Sequence, residues 1–168
     1  NMLFFDQAGY FDVASGQKLL LHTWSLSVEW QFYVVLPFFM LAVWKVKSSR
    51  ASLFIALLMA FFASLTYSVI ESVNSPDAAF YLLVSRAWEL ILGGLVYLLS
   101  SRFTMRGSVG KTVERISFLT LIGVVLFFDS SLPWPGLYAL VPTVATALVI
   151  LSAQNNSKWT ATPAAQWL

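Results

Sequence analysis

Leu53-Phe54-Ile55-Ala56-Leu57-Leu58-Met59-Ala60-Phe61-Phe62 is apolar at every position. A strand of a membrane barrel alternates apolar and polar residues over ~10 positions, and this run does not. In lipid a continuous apolar run becomes helix, because a helix closes its own backbone hydrogen bonds without water. With the residues that follow, the run extends over 53–70, close to the ~20 residues that cross a bilayer core. The stretch predicts a membrane helix, and the fold class follows from it: all-α, a polytopic transmembrane bundle.

Working outward, four more apolar segments stand at 32–44, 80–99, 116–128 and 137–151. The first reaches spanning length when its helix starts near Ser25. The fourth reaches it when the helix takes in Thr112 to Arg115, with Arg115 snorkelling to the surface. Pro37 and Pro142 lie inside the first and fifth helices, where a membrane bundle tolerates them. Asn74-Ser75-Pro76-Asp77 and Ser130-Ser131-Leu132-Pro133-Trp134-Pro135-Gly136 are turn signals between helices.

Composition agrees. Of 168 residues, 58% are hydrophobic and 11% charged, whereas soluble domains carry about 25% charged residues. A water-soluble fold of this size could not hide that much apolar surface. This excludes a soluble enzyme, a nucleic-acid module and a disordered segment. The net charge of +2 is too small and scattered for a nucleic-acid partner. Zero Cys and one His exclude a disulfide framework, a Cys nucleophile and a multi-histidine metal site, so no metal is expected. With no start Met and no signal peptide pattern, the chain is expected to be an internal piece of a longer membrane protein.

Basic residues set the topology. Lys45, Lys47 and Arg50 surround the first junction, and Arg102, Arg106, Lys111 and Arg115 the third, while Lys158 follows the fifth helix. The second and fourth junctions hold Glu71, Asp77 and Asp129 and no Lys or Arg. By the positive-inside rule, 45–51, 101–115 and 152–168 are cytoplasmic, and 1–24, 71–79 and 129–136 lie outside. The expected organisation is an external loop over 1–24, five membrane helices within 25–151, and a cytoplasmic connection over 152–168. Arg102 and Arg106 fit either this orientation charge or attraction of an anionic donor.

Two polar constellations interrupt the apolar pattern. His22, Ser25 and Glu29 are three, four and seven residues apart, so a helix puts them on one face. Ser27 and Gln31 make a neighbouring stripe. A carboxylate beside a hydroxyl and an imidazole can orient a base or bind an acceptor hydroxyl. Helix capping with an aromatic belt of Trp24, Trp30 and Tyr33 accounts for the same residues. The second constellation is Arg86-Ala87-Trp88-Glu89, well inside an apolar segment. Arg86 and Glu89 are three apart and can pair. A charge at a membrane helix centre costs about 2.5–3.5 kcal/mol on insertion scales, so such residues face a bundle interior or a watery cavity. The bland reading is an ion pair that only fixes packing. Gly93-Gly94 is expected to be a close helix contact, not a phosphate loop. Tyr67 and Ser68 read as interface anchors.

Several blocks resemble the membrane acyltransferase-3 family of bacterial O-acetyltransferases. They are Tyr10-Phe11-Asp12, Leu20-Leu21-His22-Thr23-Trp24-Ser25-Leu26-Ser27-Val28-Glu29, Gln31-Phe32-Tyr33 and Pro37. Arg86-Ala87-Trp88-Glu89-Leu90 with Gly93, and Pro135-Gly136 ahead of Pro142, follow in the family's order. The resemblance covers essentially the whole chain. It departs at Leu19, where Pro is common, and at Trp30, where a second Glu is frequent.

The resemblance implies an integral enzyme with about ten spans of ~20 residues, five of them here. It implies an acyl group, usually acetyl from acetyl-CoA on the cytoplasmic side, passed to a hydroxyl of an envelope polysaccharide or glycolipid. The partners implied are the bilayer, the glycan acceptor and the acyl-CoA donor, and the location is the bacterial inner membrane. The family's Arg and His motif of the first helix would lie ahead of Asn1, and its later helices after Leu168. On this basis His22, Ser25 and Glu29 are expected in the catalytic set, with Glu29 and His22 orienting an acceptor or a partner base. Trp24, Arg86, Trp88 and Glu89 are expected to bind substrate, the two tryptophans by stacking on a sugar. A transporter or flippase segment for a lipid-linked glycan, and a purely structural scaffold, share the same composition.

Overall fold

A computed structural model describes residues 24–100, 105, 107–128 and 135–152. Among these residues every regular element is an α-helix and none is a strand. The order is α1 (Trp24–Val46), α2 (Arg50–Asn74), α3 (Pro76–Tyr81), α4 (Leu83–Ser100), α5 (Gly107–Phe127) and α6 (Leu140–Ser152). The expected segments all appear as helices in the expected order. The third is broken in two.

Local chemistry sets the ends. Ser49 caps α2 from an extended conformation, its Oγ accepting from the Ala51 N–H at 3.3 Å. At the far end the Ser75 N–H bonds to the Glu71 carbonyl, and Pro76 opens α3 at a position where its missing N–H costs nothing. Leu82 is extended (φ −83, ψ 142) and separates α3 from α4. Two carbonyls around this break, those of Ala79 and Leu82, share the Ser85 hydroxyl at 2.6 and 2.8 Å. Gly107 opens α5 at φ +74, a conformation that glycine adopts without a Cβ penalty.

Three stretches are long and apolar enough to cross a membrane: Ser25–Val46, Arg50–Asn74 and Pro76–Ser100, the last comprising α3 and α4. The chain is a multi-pass membrane protein. The other two expected spans differ. α5 has 21 residues but carries Lys111, Glu114 and Arg115 near its start. α6 has 13 residues, about 20 Å at 1.5 Å per residue against a core of ~30 Å. It begins late because residues 135–139 form a turn, closed by the Ala139 N–H on the Pro135 carbonyl at 2.9 Å. Pro142 is the third residue of α6, where no helical bond is lost.

The chain divides into two compact units. One holds α1, α2, α3 and α4 up to residue 95, with the 135–139 turn. In it α2 packs on α1 and α3, and α1 on α3. Val28 of α1 and Tyr81 of α3 are buried together, with Phe80 and Leu83 against them. The buried face of α2 is Leu57, Phe61, Ser64, Ser68 and Ser72, a helical stripe whose serines let backbones approach closely. The opposite surface of α1 displays Trp30, Val34, Phe38 and Leu41 outward, as a bilayer solvent allows.

The other unit holds the last turn of α4 with α5 and α6. Here α5 packs on α6, burying Gly110, Glu114 and Ser117 of α5 and Ala145 and Ser152 of α6. The Met105 N–H reaches the Leu151 carbonyl at 3.4 Å.

Candidate functional site

The polar centre of the first unit is the start of α4. Arg86 Nη2 donates to Glu89 Oε2 at 3.1 Å, and each side chain is about one-fifth exposed. The spacing of three on a helix makes this pair, as expected. Pairing lets both charges sit in an apolar helix, since neither is left uncompensated. The Arg86 guanidinium also lies 5.6 Å from the centroid of the Phe80 ring, a cation–π position. Phe80 packs against the buried cluster of Val28 and Tyr81, so the ring beside the guanidinium lies next to the cluster that α1 joins.

The pair does not exhaust the carboxylate. Glu89 Oε1 is buried and has no hydrogen-bond partner among the described residues. Beside it in sequence, Trp88 is completely buried, and its Nε1 is likewise unpartnered. The Trp88 ring meets Phe61 of α2 edge-on, with centroids 6.1 Å apart. A spare carboxylate oxygen held beside a guanidinium can accept a proton or a hydroxyl hydrogen bond.

Placement of the other expected residues is uneven. Ser25 and Glu29 are both exposed on α1, one turn apart. The neighbouring stripe bonds within itself, Gln31 Nε2 donating to Ser27 Oγ at 3.4 Å. His22 lies outside the described residues, and Trp24 is the first residue of α1. Arg102 and Arg106 also lie outside them. Trp88 is completely buried, its ring packed against α2.

Two expectations are corrected. A Cβ added at Gly93 or Gly94 would meet nothing within 4 Å, so no close helix contact forms at these glycines among the described residues. Ser68, read as an interface anchor, is fully buried on the α2 stripe with its Oγ unpartnered.

Sequence reasoning missed two features. Ser64 and Ser72 join Ser68 on that stripe. The Ser72 hydroxyl donates to the Ser68 carbonyl of its own helix, whereas Ser64 reaches α4. Their four-residue spacing inside a lipid-grade run was the available signal. Glu114 is the other, a carboxylate buried on α5 beside small residues. Between Lys111 and Arg115 it reads as an ordinary surface charge. No group of three or more metal-ligating side chains gathers among the described residues.

Fold and site define an integral membrane helical protein with an ion pair held inside an apolar helix. The chain belongs to the acyltransferase-3 family, whose model, described as an acyltransferase domain, matches residues 3–168. A protein of Haemophilus influenzae Rd is 30% identical over 159 residues, covering 88% of this chain and 64% of the relative. A Komagataeibacter xylinus protein named "Putative membrane-bound transacylase BcsY" is 28% identical over 92% of this chain and 39% of its own length. A Bacillus subtilis protein named "Putative peptidoglycan O-acetyltransferase YrhL" is 28% identical over 88% of this chain and 25% of its own length. The chain thus spans less than two thirds of each relative. No solved structure matches it.

Proposed function

We propose that this chain is part of an integral membrane O-acyltransferase that moves an acyl group, acetyl from acetyl-CoA, to a sugar hydroxyl of a cell-envelope polysaccharide or glycolipid. The observation that carries the reading is the Arg86–Glu89 pair, held in an apolar helix with one carboxylate oxygen unspent. Family membership and the names of two relatives support the reaction class.

The reaction needs three things. The sugar oxygen attacks the acyl carbon while the carbon–sulfur bond breaks. The hydroxyl proton leaves to a base and ends on the departing thiolate. The oxyanion formed on the way needs a donor. In this proposal Glu89 Oε1 and Arg86 hold the acceptor hydroxyl and polarise the chamber. His22, Ser25 and Glu29 at the mouth of α1 form the catalytic set that orients the acceptor or a base. Trp24 flanks the mouth, and buried Trp88 is a wall of the chamber. All five expected helices cross the inner membrane, with 45–51 and 101–115 cytoplasmic and 1–24 outside. The short α6 then sits in a locally thinned or protein-lined region.

The test is transfer of label from acetyl-CoA to envelope glycan by membranes containing the full-length protein. Acetyl-CoA-dependent ester on the glycan supports the proposal. Movement of a lipid-linked glycan with no ester formed would assign the chain to a transporter instead.

A further inference from the structure

Ser64 of α2 is built into the backbone of α4. Its Oγ accepts from the Trp88 N–H at 3.0 Å and donates to the Val84 carbonyl at 2.6 Å. In an uninterrupted α-helix the N–H of residue 88 bonds directly to the carbonyl of residue 84. The hydroxyl therefore bridges the two ends of one rung of the ladder. α4 stays helical through this rung, and a hydroxyl bonded to both of its ends pins the local direction of the helix. The rung spans Val84 to Trp88, so the turn it controls contains Arg86 and ends next to Glu89. Ser85 acts on the other side of the same turn, its hydroxyl shared by the Ala79 and Leu82 carbonyls across the break. Phe61, three residues before Ser64 on the same stripe, presses on the Trp88 ring.

We propose that Ser64 is a positioning residue for acyl transfer, setting the direction in which α4 presents the Arg86–Glu89 pair; this rests on the function proposed above. Ser64 does not touch the reacting groups. It acts through the Val84–Trp88 rung. Removing the hydroxyl leaves the Trp88 N–H and the Val84 C=O to each other within a helix that is already continuous, so stability changes little. The carboxylate turns with it. Activity and stability should consequently part company at this position.

The experiment uses the full-length protein in membranes, with labelled acetyl-CoA and the envelope glycan as acceptor. The variants are Ser64→Ala, Ser64→Thr, Ser72→Ala, Glu89→Gln, and Ser64→Ala combined with Glu89→Gln. Ser64→Ala is expected to lower kcat on the order of tenfold to a hundredfold, the effect of misplacing a reacting group by about 1 Å, with thermal stability nearly unchanged. Ser64→Thr keeps the hydroxyl and restores transfer. Ser72→Ala, whose hydroxyl serves only its own helix, stays at wild-type rate. The double variant is no slower than Glu89→Gln alone, because both changes act on one element. Full activity of Ser64→Ala, failure of the Thr rescue, or losses that multiply in the double variant would each overturn the positioning role. Full activity of Glu89→Gln would overturn the proposed site together with it, whereas an impaired Glu89→Gln beside an active Ser64→Ala removes the Ser64 role alone.

Discussion

The guanidinium of Arg86 meets the carboxylate of Glu89 at 3.1 Å within α4, and only one carboxylate oxygen takes part. Loss of Arg86 leaves a carboxylate uncompensated in an apolar helix. Arg86→Ala is therefore expected to destabilise the protein by about 1–3 kcal/mol, the desolvation cost of a polar group left unpaired. The double variant Arg86→Gln with Glu89→Gln keeps a neutral hydrogen bond and is expected to recover most of that loss. Thermal midpoints in one detergent, compared across wild type and the two variants, check the ordering.

Ser68 carries a buried hydroxyl with no partner among the described residues. Deleting it removes an unmet polar group and only a small volume. Ser68→Ala is expected to leave stability unchanged or raise it by up to about 1 kcal/mol. Ser68→Leu, which must push the packed face of α2 away from its neighbours, is expected to cost about 1–3 kcal/mol as overpacking. Thermal unfolding of both variants tests the pair of signs.

Gly107 holds φ +74 at the head of α5, and a Cβ there would meet nothing within 4 Å. The cost of Gly107→Ala is then backbone strain alone, about 1–2 kcal/mol. Gly123, mid-helix in α5 with equally open space, gives the opposite sign, since alanine gains about 1 kcal/mol over glycine in a helix interior. Unfolding midpoints of the two alanine variants should move in opposite directions.

Much of the fold was legible because lipid enforces a simple rule. Continuous apolar runs such as 53–62 leave the helix as the one way to satisfy the backbone. Arg86 and Glu89 were legible as a pair because helical spacing alone brings them together. The break at Leu82 was not, since leucine carries no breaker signal and the broken carbonyls are satisfied by Ser85 from the next helix. The spacing of Ser64 from Ser68 and Ser72 was legible, but its role was not, because its partners lie 20 and 24 residues on, in another helix. The shortening of α6 depends on the 135–139 turn, whose proline and glycine were read correctly but whose extent was not. The face of His22, Ser25 and Glu29 is a different case, because its first member lies outside the described residues.

Orientation has its own test. The sequence contains no Cys, so single substitutions give clean labelling sites. Ser48, exposed in the junction before α2, is expected to lie inside the cell, and Ser75, between α2 and α3, outside. In intact cells a membrane-impermeant thiol reagent should label Ser75→Cys but leave Ser48→Cys untouched until the membrane is opened. Labelling of Ser48→Cys in intact cells would reverse the topology.

The most direct measurement is the rate of the proposed transfer, acetyl from acetyl-CoA to envelope glycan, in the full-length protein with Arg86→Ala or Glu29→Gln at normal membrane level. Each loses one charged group of the proposed site, so transfer should fall by at least about a hundredfold, the contribution typical of a positioned acid, base or charge donor. Wild-type rates in both variants, with correct insertion verified, would contradict the account.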